Sequence, residues 1–139
     1  MSPEAMLERA EFATDWMLSK VGASDTQKEE IRAIVARTVN AMVPVRDQHF
    51  ANRKAMLEAL AAPAVDAVRL ADLRAAELKL AEQASRALLE GVTDAAKVLT
   101  PEQRQQLAQM AERHRHPPRH EGSGFRRWHG EDGLPPRTS

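Results

Sequence analysis

The sequence predicts an all-α protein of four helices, two of them long enough to form an antiparallel hairpin. Three observations carry this prediction. Ala, Leu, Glu, Arg, Lys and Gln dominate up to Ala111, and these residues lose least on entering a helix. Breakers are sparse over the same stretch: residues 23–116 hold only Gly91, Pro44, Pro63 and Pro101, whereas eight of the 14 Gly and Pro residues fall within 117–139. Apolar residues recur at three- and four-residue steps, the period of a helix face. The expected organisation is one helical domain over residues 1–115, followed by an Arg-, His-, Pro- and Gly-rich tail, residues 116–139, predicted to be disordered.

The first helix starts at Ser2-Pro3-Glu4, a cap, a preset first turn and a carboxylate near the positive end of the dipole. Met6, Ala10, Ala13, Trp16 and Met17 give it an apolar face to about Lys20, and Gly22 suits the C′ position. Ser24-Asp25-Thr26-Gln27 is a capping box that opens the second helix. Its stripe of Ile31, Ile34, Val35, Val39 and Met42 changes character at Arg46, His49, Phe50 and Arg53 before Met56, Leu57 and Leu60 restore it. With Pro44 as a kink and not a stop, residues 25–61 span about 55 Å. Ala61-Ala62-Pro63 turns the chain, and Leu70, Leu73, Leu80, Ala84, Leu88, Val92 and Ala95 mark a third helix from about Val65 to Val98. A short connection between two long helices makes them antiparallel neighbours. Thr100-Pro101-Glu102-Gln103 repeats the capping box and opens a last helix that should fray near His114, before Pro117 and Pro118.

Composition closes several routes to function. Lys+Arg and Asp+Glu both number 20, so no general field draws the chain to nucleic acid or anionic membrane. The neutral total is nevertheless split, because residues from Arg113 onward carry six Arg, three acids and four of the five His. Without Cys there is no disulfide, thiolate metal site or cysteine nucleophile. The first twenty residues are broken by charge every few positions and contain no apolar run, so neither a leader nor a membrane span is expected within them. No glycine-rich phosphate loop occurs, so ATP use is not expected. The carboxylates sit on helix faces among Arg and Lys at pairing distances, Asp72 with Arg69 and Glu82 with Arg86, and no catalytic role is expected for them.

Leu99-Thr100-Pro101-Glu102-Gln103 resembles the LTxxQ motif of the Spy/CpxP family, and Ala23-Ser24-Asp25-Thr26-Gln27 resembles a reduced first copy in which Ala replaces Leu and Ser replaces Thr. One such pentapeptide is a weak signal; two at the starts of the second and fourth helices carry more. Arg53-Lys54-Ala55-Met56-Leu57-Glu58-Ala59-Leu60, followed by Asp66, is also similar to the family's passage between its two long helices, and the likeness covers roughly residues 12–113. It implies a periplasmic address, a hairpin protomer and a cradle-shaped antiparallel homodimer. It further implies an ATP-independent chaperone or stress-response protein that holds unfolded or partly folded proteins on a concave helical surface. In this reading Ser24, Gln27, Leu99, Thr100 and Gln103 are structural caps.

The client surface expected from the residues is Met42, Arg46, His49, Phe50, Arg53 and Met56, where long basic side chains border a Phe and adaptable Met residues. The alternative is a periplasmic heavy-metal-binding or metal-sensing protein, since the same resemblance extends to CnrX-like metal-resistance proteins. Its candidate ligands are His114, His116, His120 and His129, imidazoles suited to Zn, Ni, Co or Cu. His114 and His116 diverge if helical, and His49 is the one body histidine, so no cofactor is expected to be required. Nucleic-acid binding through the tail's Arg residues, Phe125 and Trp128 ranks last, for want of any reading module.

Overall fold

The computed structural model describes residues 1–115, and everything it describes as regular structure is α-helical. The elements in chain order are α1 (Pro3–Lys20), α2 (Asp25–Ala61), α3 (Ala67–Val98) and α4 (Pro101–Arg115). The tail beginning at residue 116, with its expected disorder, lies outside the described residues.

Local chemistry sets each boundary. The Ser2 side chain accepts from the Ala5 amide at 3.1 Å to open α1. At the other end Gly22 takes φ 67°, the Ala23 amide donates to the Leu18 carbonyl at 3.0 Å, and the Gly22 amide donates to Ser19 at 3.3 Å. This doubly bonded left-handed turn satisfies the last carbonyls of α1 and reverses the chain into α2. α2 continues through Pro44 for 37 residues. α3 starts two residues later than its apolar pattern suggests, because the Asp66 side chain accepts from the Arg69 amide at 3.0 Å and so fixes the cap. α4 extends to Arg115, one residue past the expected fraying point.

α2 and α3 form the hairpin, and α1 packs back along α2. Burial on α3 falls at Leu70, Leu73, Glu77, Leu80, Ala84, Ala87 and Gly91, a seam at three- and four-residue steps. The helices pack closely at Gly91, where an added Cβ would run into the Thr38 side chain, 3.2 Å from Thr38 Cβ. Any side chain at that crossing requires Thr38 to give way.

The core is small and sits at one end. Leu18, Ile31 and Leu99 are 3%, 2% and 8% exposed and cluster with Ala23, Val35, Ala95, Val98 and Leu107. This is the base of the hairpin, where α1 ends, α2 begins and α3 hands over to α4. Two arginines of α2 tie it sideways: Arg32 donates to both carboxylate oxygens of Asp15 on α1, at 3.0 and 2.8 Å, and Arg37 reaches Asp94 on α3 at 2.6 Å. The hydrogen bonds from Arg32 hold the Asp15 carboxyl below its ordinary range, against a smaller opposing effect of desolvation. Of the helix-face pairs expected from sequence, Glu82–Arg86 forms and Asp72–Arg69 is not within ion-pair distance.

Farther along the hairpin the contacts become polar. Asn52, 7% exposed, accepts from the Gln48 amide at 2.9 Å, and His49 Nδ1 meets Glu77 Oε2 at 2.6 Å. The His49 bond is the main cause of a lowered Glu77 pKa. The Asn52 amide contributes in the same direction, although Asn52 Nδ2 and Glu77 Oε1 stop short of a formed hydrogen bond.

Candidate functional site

Both capping boxes close as their spacing requires. Ser24 N donates to Gln27 Oε1 at 2.9 Å while Ser24 Oγ accepts from Gln27 N at 3.1 Å. Thr100 N donates to Gln103 Oε1 at 3.0 Å while Thr100 Oγ1 accepts from Gln103 N at 3.2 Å. The fold then brings the two boxes face to face. Gln27 Nε2 donates to Gln103 Oε1 at 2.9 Å, and Gln103 Nε2 returns the bond to Gln27 Oε1 at 3.1 Å. Gln27 Nε2 also donates to the Val98 carbonyl at 3.1 Å, one of the last carbonyls of α3. Each glutamine therefore works as acceptor for its own cap and donor across to the other. A glutamate would close its own box but could not donate, which explains the amide at both positions. Leu99 lies buried beside this pair as the anchor of the second motif.

Next to the paired caps the four helices leave an apolar trough of about 750 Å³ open to solvent. Ala10 and Met17 of α1, Ile34 and Val39 of α2, Leu88 and Val92 of α3, and Leu107 and Met110 of α4 are among its walls. Leu88 and Val92 are 54% and 58% exposed, so part of its wall is uncovered surface, while Leu18, Ile31 and Leu99 of the core also line it. α4 buries no residue fully, and its apolar side chains complete the trough without closing it. Trp16 stands at the edge with Lys20 Nζ 5.3 Å from its ring centroid, a cation–π contact.

The residues expected to meet clients separate into two groups. Phe50 is 57% exposed and Arg53 is exposed, both free to contact a partner. Met42 and Met56 are half-buried, sharing a helix face with Asn52 and with His49, which is engaged by Glu77. Arg46 is occupied: its Nη1 donates to the Met1 carbonyl at 2.7 Å, and its guanidinium lies against Asp47, so it pins the start of α1 to α2. Sequence reasoning missed both the amide pair and the trough. The repeated box was a signal for the first; nothing local signalled the second. Of the histidines considered as metal ligands, His114 lines the trough and His116, His120 and His129 lie outside the described residues. Among the described residues no three His, Cys, Asp or Glu converge to hold a metal ion.

A long helical hairpin, stapled at its base by two reciprocally bonded capping boxes and carrying an open apolar trough, defines a class of small all-helical proteins. Residues 9–111 match the LTXXQ motif family, and the chain belongs to that family of Spy/CpxP-like periplasmic proteins. Comparison with curated proteins and with solved structures gives no match. No helix among the described residues is long and apolar enough to cross a membrane.

Proposed function

We propose that this protein is an ATP-independent periplasmic chaperone that holds unfolded or partly folded clients on its exposed helical surface. One observation carries the reading: large apolar side chains at the trough, along the hairpin and on α1 are uncovered, Val92 at 58%, Leu89 at 65%, Phe50 at 57% and Phe12 at 76% exposed. Apolar surface of this extent, interspersed with charge, marks an interaction site. Its openness suits weak, reversible contact with many segments better than a fitted ligand. Phe50 and Arg53 supply an accessible apolar–basic pair on α2, while the trough supplies the larger area. Family membership supports the periplasmic address.

The same surplus of apolar surface supports an antiparallel homodimer. Val68, Leu78 and Leu89 are 72%, 55% and 65% exposed on α3, and a second hairpin laid alongside would cover such residues. Sedimentation velocity across a concentration series tests this, and a strictly monomeric chain would remove the dimer.

The functional test is suppression of aggregation of a chemically unfolded client without nucleotide. Protection at near-stoichiometric ratios is expected, with loss in a Phe50→Ala/Arg53→Ala/Val92→Asp variant that keeps its helical content. Full protection by that variant would take the exposed surface out of the mechanism.

A further inference from the structure

We infer that the trough beside the paired caps binds a client segment of particular chemistry: an amphipathic helix whose apolar stripe is flanked by acidic residues about three turns apart. This deepens the chaperone reading and rests on it for the identity of the partner as a client.

Three features of the trough select this occupant. The first is its length. One wall is α4, whose 15 residues run for about 22 Å. That length matches the apolar stripe of a helix of about four turns. The second feature is the nature of the lining, which is almost wholly aliphatic side chain from four helices. An extended segment pressed against it would leave backbone N–H and C=O groups unpaired, whereas a helix satisfies its own.

The third feature is charge. Arg104 and His114 are the titratable residues among those lining the trough, and no acid joins them. Neither takes part in an ion pair among the described residues. Two carboxylates of the neighbouring helices, Asp15 and Asp94, are engaged by Arg32 and Arg37. Arg104 is a permanent cation, and His114 can donate a ring N–H in either charge state. They stand ten residues apart on α4, about 15 Å along its axis. A helix lying beside α4 with Glu or Asp at positions i and i+11 presents carboxylates at matching separation on one face.

The test uses three fluorescent 18-residue helical peptides with the same Leu/Ala stripe and Glu, Gln or Lys at two positions eleven apart. Anisotropy titration against the full chain should show the Glu peptide binding about five- to tenfold tighter than the Gln peptide, and the Lys peptide weakest, with the gap narrowing at high salt. Arg104→Gln/His114→Gln should bring the Glu peptide to the affinity of the Gln peptide and leave the latter unchanged. Both residues are exposed, so the fold should tolerate the change. Equal affinity for all three peptides, or a Glu preference that survives the double substitution, would overturn the assignment. So would peptide release in step with self-association of the chain in the same samples, which would give the trough to a second copy. Client protection measured on the double variant separates the two levels. Retained protection without charge preference removes this inference alone, and absent protection in the unaltered chain removes the chaperone reading beneath it.

Discussion

The base and the far end of the hairpin are made from similar residues and do different things. At the base, Leu18, Val21, Ile31 and Leu99 are all under a tenth exposed, and two capping boxes bond to each other across the chain. Around the far turn, Leu57, Leu60, Val65 and Val68 are 62%, 54%, 67% and 72% exposed. Apolar composition alone therefore does not decide burial in this molecule. Burial follows the number of helices that converge: four meet at the base and two at the turn. Stability is concentrated where the motifs are, and the trough keeps apolar surface open beside that core.

Core truncation should show this contrast most strongly. Ile31→Ala removes side-chain atoms from the best-buried position, and equilibrium denaturation should report a loss of about 2–5 kcal/mol. Leu57→Ala and Leu60→Ala at the turn should each stay within about 0.5 kcal/mol. Comparable losses at both ends would break the comparison.

The amide pair comes next. Gln27→Ala and Gln103→Ala should each cost about 1–2 kcal/mol, since each loses a cap return and a cross-chain bond. Their double-mutant cycle should show coupling of about 0.5–1.5 kcal/mol. Additive losses would mean that the boxes act as independent local caps.

A smaller effect belongs to the crossing of α2 and α3. Gly91→Ala gains about 1 kcal/mol of helix propensity but drives a methyl into Thr38, for a net loss of about 1 kcal/mol. Thr38→Ala should reverse that loss in the double variant. A stabilised single variant would mean that the helices separate readily at this point.

The smallest effect is acid sensitivity. Asp15 and Glu77 have lowered pKa values in the folded chain, through hydrogen bonds from Arg32 and His49 respectively. Depressed carboxyl groups contribute stability that is full above their unfolded pKa and is lost as pH falls through the folded one. Thermal melts should therefore decline below about pH 4, the ordinary carboxylate range, and Asp15→Asn with Glu77→Gln should flatten that limb. An unchanged slope would place the acid-sensitive contacts elsewhere.

Much of this architecture was legible in the sequence because helix starts and stops are local chemistry. Ser2, Ser24 and Thr100 cap, Gly22 turns, and the chain obeys. The start of α3 was read early because Val65 continues an apolar pattern that the Asp66 cap cuts off. The Gln27–Gln103 pair was only half legible: two similar boxes pointed to a shared role, but their contact depends on the hairpin returning Val98 beside Gln27. The contact of Arg46 was illegible for a similar reason, since its partner is the Met1 carbonyl far along the chain. The trough arises from four helices meeting at once, and no single periodicity encodes it.

Hydrogen exchange with and without an unfolding client tests the central claim most directly, because it reads the base, the trough walls and the turn in one experiment. The account predicts added protection in the trough-lining parts of α1, α3 and α4, from Ala10 to Met17, Leu88 to Ala96 and Leu107 to His114, with little change around residues 60–68. Protection confined to the turn, or none at all while aggregation is suppressed, would contradict it.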